Sequence, residues 1–272
     1  MEAAVQIETH QLLALAGRAA TAGAEVASAW SRRRAELQVE EKVASDDLVS
    51  QADRDTERAI RKVLRDARPE DGLLGEEDGM DPGRSGIHWL IDPIDGTTNY
   101  LYGRPDWAVS VAAVSSADSR TLAAVVAEPA LGRTTEAALG EGAWSDGRRL
   151  FRHLEVDLER ALVEVNLGSP AQRGRAGELL RALLPRVRDV RRGGSAAAAL
   201  VQVADGRADA YWGPGLQAWD GAAGALVVSE AGGVVGDLEG STGGDWPRSG
   251  DVLAAPSSLW EPLREILRSV YR

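Results

Sequence analysis

The sequence predicts a layered fold of the α/β or α+β class. Three observations predict it. Helical apolar stripes and short β segments follow one another along all 272 residues. No linker, low-complexity segment or internal repeat interrupts them. An element with a single apolar face must bury that face against another layer. A chain of this length suffices for one large domain or two closely packed lobes. The expectation is one domain over 1–272, with an N-terminal lobe over about 1–150 and a C-terminal lobe over about 151–272.

Each element has its own signal. Leu12, Leu13, Leu15, Ala16 and Ala19 mark one stripe of a long helix over 8–37. A second helix is expected over 52–67, ended by Pro69. Short β segments follow at 72–75, 87–91 and 108–114. Segments 122–127 and 134–138 read as a strand pair joined through Pro129 and Gly132. The glycine-rich run 140–146 reads as another strand and turn.

The second half opens with a strand over 161–166, then a helix over 171–184 closed by Pro185. A strand over 187–191 leads through Gly193-Gly194-Ser195 into an alanine-rich helix that stops at Gly206. Residues 208–212 are strand-like. A helix starts at Asp220 and ends at Gly232-Gly233, where glycine serves as the left-handed cap. An amphipathic helix covers 257–271.

Composition removes whole classes of function. Hydrophobic residues make up 44% and charged residues 27%, values of a globular chain rather than a disordered one. A net charge of −11 argues against nucleic-acid binding, which phosphate contacts dominate. The basic runs Arg32-Arg33-Arg34 and 186–192 lie beside acidic sequence and read as solvated faces. No cysteine is present, so disulfides, thiolate nucleophiles and Cys-ligated zinc are excluded. Residues 1–10 carry no secretory signal and no stretch of eighteen apolar residues exists; a cytoplasmic protein with no membrane span is expected. His10, His88 and His153 read as structural or surface residues.

Acidic residues gather in four places, each beside a β segment or a helix start: Asp53, Glu76-Glu77, Asp92 with Asp95, and Asp220. Pro93 fixes φ and removes a donor, so the strand through Leu90 and Ile91 is expected to stop there. Asp92 and Asp95 on the tight turn beyond it can converge on one point. Their repulsion must then be offset, and hard oxygen ligands suit Mg2+. Asp95 is placed as a helix N-cap, and the amides of the following Gly96-Thr97-Thr98 can cradle a phosphate. Taken singly, each feature has a plain structural meaning: a capped helix, a charged turn, an N-cap at Asp220. Only the combination is specific.

The set resembles the inositol monophosphatase family of lithium-sensitive, metal-dependent phosphatases. The matching strings are Gly75-Glu76-Glu77, Asp92-Pro93-Ile94-Asp95-Gly96-Thr97-Thr98-Asn99 and Trp219-Asp220-Gly221-Ala222-Ala223-Gly224, continuing to Glu230-Ala231-Gly232-Gly233. Lys42 with Asp47 to Asp53, Gly194-Ser195-Ala196 and Ala208-Asp209-Ala210-Tyr211 also fit. The resemblance implies a layered αβαβα sandwich of the kind shared with fructose bisphosphatase, and a homodimer. It implies two or three Mg2+ ions. Glu76, Asp92 and the Ile94 backbone carbonyl would bind the first; Asp92, Asp95 and Asp220 the second; a third, looser ion would lie near Glu76. Thr97 and Asp53 would orient and help deprotonate a metal-bound water, with Glu77 in support. Backbone amides of Gly96 and Thr97 would hold the phosphate of a small-molecule ester. Gly194, Ser195, Ala196 and Gly213 would line the substrate pocket.

The likeness thins at the pocket. Inositol-specific members typically have a glutamate where this chain has Gly213, and that glutamate hydrogen-bonds ring hydroxyls. Losing it should relax or redirect specificity. The expected substrate is therefore not strictly inositol phosphate: a nucleoside monophosphate, an amino-sugar or aminocyclitol phosphate, or histidinol phosphate fits the reading. Trp212 is a candidate to stack on a base, with packing as its plainer role. Inositol-1-monophosphatase, a phosphatase for 3′-phosphoadenosine nucleotides or fructose bisphosphate, and a non-catalytic regulator keeping the fold are the alternatives.

Overall fold

Period-two burial along the strands sorts the apolar side chains into three cores, and the cores define the layers. The computed structural model describes residues 2–37, 39–41, 48–151, 155–168, 173–243, 245–247 and 249–271, with side chains left aside at 2–8, 39–41 and 48–49. In chain order the strands are β1 (Val39–Glu41), β2 (Leu48–Ser50), β3 (Gly72–Gly75), β4 (Gly79–Asp81), β5 (Ile87–Asp95), β6 (Ala108–Ser115), β7 (Thr121–Glu128), β8 (Arg133–Ala138), β9 (Gly142–Ser145), β10 (Arg148–Arg149), β11 (Leu162–Val165), β12 (Asp189–Arg191), β13 (Ala210–Gly213), β14 (Val234–Gly236) and β15 (Val252–Ala255). The helices are α1 (Glu2–Arg32), α2 (Gln51–Ala67), α3 (Thr97–Leu101), α4 (Ala176–Leu183), α5 (Ala196–Asp205), α6 (Ala218–Glu230) and α7 (Ser257–Tyr271).

Strands β3 to β10 form an eight-stranded sheet in the order β10-β9-β8-β7-β6-β5-β3-β4. It is antiparallel except where β3 runs parallel to β5. A five-stranded mixed sheet has the order β12-β11-β13-β15-β14. On β5 to β7, Trp89, Ile91, Val109, Val111 and Val125 point to a core shared with α1 and α2. Leu90, Ala112, Ala124 and Val126 point the other way, onto α5 and α6. On the smaller sheet, Tyr211, Val252 and Ala254 face that same middle helix layer. Val163, Trp212 and Leu253 face α4 and α7. The result is the αβαβα sandwich that the resemblance implies. No helix among the described residues is long and apolar enough to cross a membrane.

Several boundaries differ from the sequence expectation. Helix α1 ends at Arg32, and the next residues tighten into a 3-10 turn at Arg34–Glu36 in which the Glu36 amide bonds the Arg33 carbonyl. Such i→i−3 closure is how a helix end lacking apolar anchors finishes. Helix α4 begins at Ala176 after a 3-10 turn at Arg173–Arg175, and residues 171 and 172 lie outside the described ones. Strands β1, β2, β4, β10, β14 and β15 were not expected. All but β15 are two or three residues long, too short to show a period. Trp212 is 1% exposed and packs edge-on to Tyr271 in the outer core. It therefore faces away from α5 and α6, and the base-stacking role is corrected to packing.

Candidate active site

A bulge in β5 puts Asp92 and Asp95 on the same face. Residues three apart in a regular strand point to opposite faces. Here Asp92 pairs with Ser110 and Asp95 with Ala108, so four residues of β5 span three of β6. The extra residue turns Asp95 back toward the middle helix layer while Ile94 stays in the α1–α2 core. The strand therefore runs through Pro93 rather than stopping there. Bulges are where a sheet tolerates a residue without an N–H.

Asp95 is not an N-cap of its own helix, as the sequence suggested. Gly96 is the N-cap of α3, at φ +94°, a left-handed conformation that favours glycine. The Asp95 carboxylate caps a distant helix instead. Its Oδ2 accepts from Ser195 Oγ (2.6 Å) and from the Ala197 amide (2.6 Å) at the start of α5. Ser195 is the N-cap of α5, its hydroxyl accepting from the Ala198 amide at 3.1 Å. Asp220 likewise sits inside α6 rather than at its N-cap. Gln217 holds that place, and its amide donates to Asp220 Oδ2 at 2.9 Å.

The other acids arrive from α2 and the end of β3. Asp53 closes a capping box: its Oδ2 accepts from the Ser50 amide (2.9 Å) and hydroxyl (2.6 Å). Thr97 Oγ1 lies 3.3 Å from Asp53 Oδ1 and 3.2 Å from the Ile94 carbonyl, so its one proton serves either acceptor. The Glu76 amide bonds the Ile91 carbonyl at 3.2 Å, next to Asp92. Ser110 on β6, opposite Asp92, donates to the Trp219 carbonyl at 3.2 Å and ties the sheet to the turn that carries Asp220.

These acids share one electrostatic field. Burial, followed by Glu76, Asp95, Asp220 and Asp53, holds the Asp92 carboxyl well above the carboxylate range. Asp95 is pushed up to about 7, chiefly by burial with Glu76 adding, against its hydrogen bonds from Ser195 and Ala197. Asp220 is pushed up to about 8 by burial and then by Asp95. It keeps part of its surface open yet lies deep in protein, as the wall of a cleft does. Asp53 rises to about 6, mainly by burial, with its Ser50 bonds opposing. Among the described residues, the charged groups that act most strongly on these four carboxyls are other acids.

Among the described residues, no three acidic or imidazole side chains stand as a closed metal-ligand set. Asp92, Asp95 and Asp220 each commit one carboxylate oxygen to a protein donor, the Ile94 amide at 3.1 Å in the case of Asp92. Among the described residues, the fold brings together a buried negative field with oxygen donors only. A hard divalent cation fits that chemistry, and a thiolate- or imidazole-seeking metal does not. His10 and His88 partner Glu141 and Ser116, while His153, Lys42 and Asp47 lie outside the described residues.

The pocket loops are held by residues the sequence reading passed over. Asn99 Nδ2 donates to the carbonyls of Asp106 and Gly193, both at 2.6 Å, and Glu164 accepts from the Gly193 amide at 3.0 Å. Gly194 takes φ +99° beside the Asn99 amide. Ala196 is buried under these loops. Gly213 ends β13, and a Cβ there would collide with the Tyr211 hydroxyl. Tyr211 is itself buried, 1% exposed. On α2, Glu57 and Arg61 are buried charges that hold the Glu76-Glu77 turn. Their spacing of four and eight residues from Asp53 was the available signal.

Residues 8–271 match the sequence profile of the Inositol monophosphatase family. An inositol-1-monophosphatase of Rhizobium meliloti is 41% identical over 229 residues, covering 82% of this chain and 83% of the relative. The Nus factor SuhB of Pseudomonas aeruginosa is 37% identical over 261 residues, covering 93% and 94%. The crystal structure of the extragenic suppressor protein SuhB from Bartonella henselae superposes with a TM-score of 0.89 at 35% identity, covering 95% and 98%. The buried acids thus stand in the fold and sequence of metal-dependent hydrolases of phosphate monoesters, and the chain is a phosphatase belonging to the inositol monophosphatase family.

Proposed function

We propose that this phosphatase uses Mg2+ to hydrolyse a range of small phosphate monoesters rather than inositol phosphate alone. The observation that carries the metal half of the reading is the Asp92 carboxyl, buried among Glu76, Asp95, Asp220 and Asp53, the charged groups that act most strongly on it among the described residues. Glu76, Asp92, Asp95, Asp220 and the Ile94 carbonyl would hold two or three ions. When bound, such ions neutralise phosphoryl charge and acidify the attacking water. Thr97 would orient that water and pass its proton toward Asp53. Glu77 supports the turn carrying Glu76. The amides of Gly96 and Thr97 open α3 and would bind phosphate oxygens.

Gly194, Ser195, Ala196 and Gly213 are read as the substrate wall. The Tyr211–Gly213 contact supports broad selection there: the phenol lies where a side chain at 213 would begin, so an acidic side chain cannot be added without moving it. Nucleoside monophosphates, amino-sugar or aminocyclitol phosphates and histidinol phosphate are the substrates to test. A non-catalytic role has one observation in its favour, the name Nus factor carried by two relatives. All the acids and Thr97 are retained, which favours catalysis. We also read the enzyme as a homodimer, which light scattering in solution tests. The functional test is phosphate release across sugar, inositol, nucleotide and amino-alcohol phosphates with Mg2+. Comparable turnover of several is expected; inositol 1-phosphate clearly fastest would overturn the broad-specificity reading.

A further inference from the structure

Helix α2 reaches the site at two heights. Asp53, Glu57 and Arg61 follow one another at four-residue spacing, on one stripe of the helix, and all three are buried. Asp53 bonds Thr97, as described. One turn on, Glu57 is 0% exposed and accepts three hydrogen bonds: from the Glu77 amide at 2.8 Å, the Asp78 amide at 3.2 Å and Arg61 Nε at 2.7 Å. Arg61 Nη2 donates onward to the Gly79 carbonyl at 2.6 Å. The pair therefore grips residues 77–79, the turn between β3 and β4. Gly75, before it, must lack a side chain, because a Cβ there would collide with the Glu57 carboxylate. Glu76 lies between these anchors, its own amide tied to Ile91 on β5.

Closing a short hairpin does not require a buried ion pair. Burying two charges is costly, and apolar replacements of the same size are often as stable. What the pair adds is a fixed place for the turn. It sets Glu76 beside Asp92, and the same rigid helix sets Asp53 beside Thr97. We propose that Glu57, locked by Arg61, is a positioning residue for Glu76, holding that carboxylate where a divalent cation is bound. The inference rests on the Mg2+ reading above. Arg65, one turn further along α2, pairs with Asp81 on β4 at the exposed end of the same hairpin and touches no turn amide. It is the natural control.

The test is calorimetric titration of MgCl2 into EDTA-stripped, then desalted protein, beside the thermal midpoint without metal. Glu57→Gln leaves one carbonyl oxygen for three donors and is expected to weaken Mg2+ binding about tenfold or more. Arg61→Lys keeps a cation at Glu57 but lacks the second reach to Gly79; it should fall between wild type and Glu57→Gln, and it carries the test if Glu57→Gln does not fold. Arg65→Gln should bind as wild type does. Glu57→Gln or Arg61→Lys with a lowered midpoint but unchanged Mg2+ affinity would overturn the positioning role and leave the metal reading standing. Wild-type protein that binds no Mg2+ would sink the metal reading beneath it.

Discussion

Asp95 gives one oxygen to Ser195 and Ala197, and its charge acts on Asp92 and Asp220. Replacing it with asparagine keeps an acceptor for α5 and removes the charge. Asp95→Asn should therefore keep its circular dichroism spectrum and lose about a hundredfold or more in kcat. Thr97 has one proton and two acceptors. Thr97→Val preserves shape, and kcat is expected to drop by about a hundredfold with little change in thermal midpoint, as befits a group that helps move a proton. Gly213 is confined by a neighbour two residues back. Gly213→Ala is expected to cost about 1–3 kcal/mol in denaturant unfolding, because the Tyr211 ring must shift in a packed core. A midpoint equal to wild type would show that the phenol is free to move.

At the scale of elements, the acidic motifs were legible and the bulge that turns Asp95 was not. The spacing of Asp92 and Asp95 announced a shared job, yet a strand read at period two sends them to opposite faces. The bulge that reverses this is a matter of register with Ser110 and Ala108, which no local pattern in β5 records. Asp95 and Asp220 looked like caps of the helices that follow them. Each is a capping group, but Asp95 serves α5, a hundred residues away, and Asp220 serves from the third position of α6. Ser195 was read as leading into an alanine-rich helix, and the structure makes it the N-cap of α5. Ser195→Ala should lower stability by about 1 kcal/mol through α5 and remove one donor from Asp95. Chemical denaturation measures the first effect.

Across the whole molecule, a layered α/β character followed from elements with one apolar face to bury, while the five-layer order came from the family resemblance. The small strands and the Glu57–Arg61 grip did not follow, because they depend on which segments meet. The convergence of acids has a thermodynamic signature. Asp53, Asp95 and Asp220, at about 6, 7 and 8, and Asp92 all hold protons more tightly when folded than the about 3.9 of an unfolded aspartate. Raised pKa values of this kind stabilise the fold at low pH, and that stabilisation is lost as pH rises through the folded values. Thermal midpoints of the EDTA-treated protein should fall between about pH 4 and pH 8. Added Mg2+ should restore more at the upper end, since it binds the ionised form. A flat profile with no response to Mg2+ would mean that the acids are neutralised by something else.

The most direct measurement is anomalous scattering from crystals grown with Mn2+, an oxygen-seeking ion that stands in for Mg2+. Two or three peaks are expected at about 2.1–2.3 Å from the carboxylates of Glu76, Asp92, Asp95 and Asp220. Peaks elsewhere, with these four acids bonded only to protein groups, would contradict a site built to hold cations.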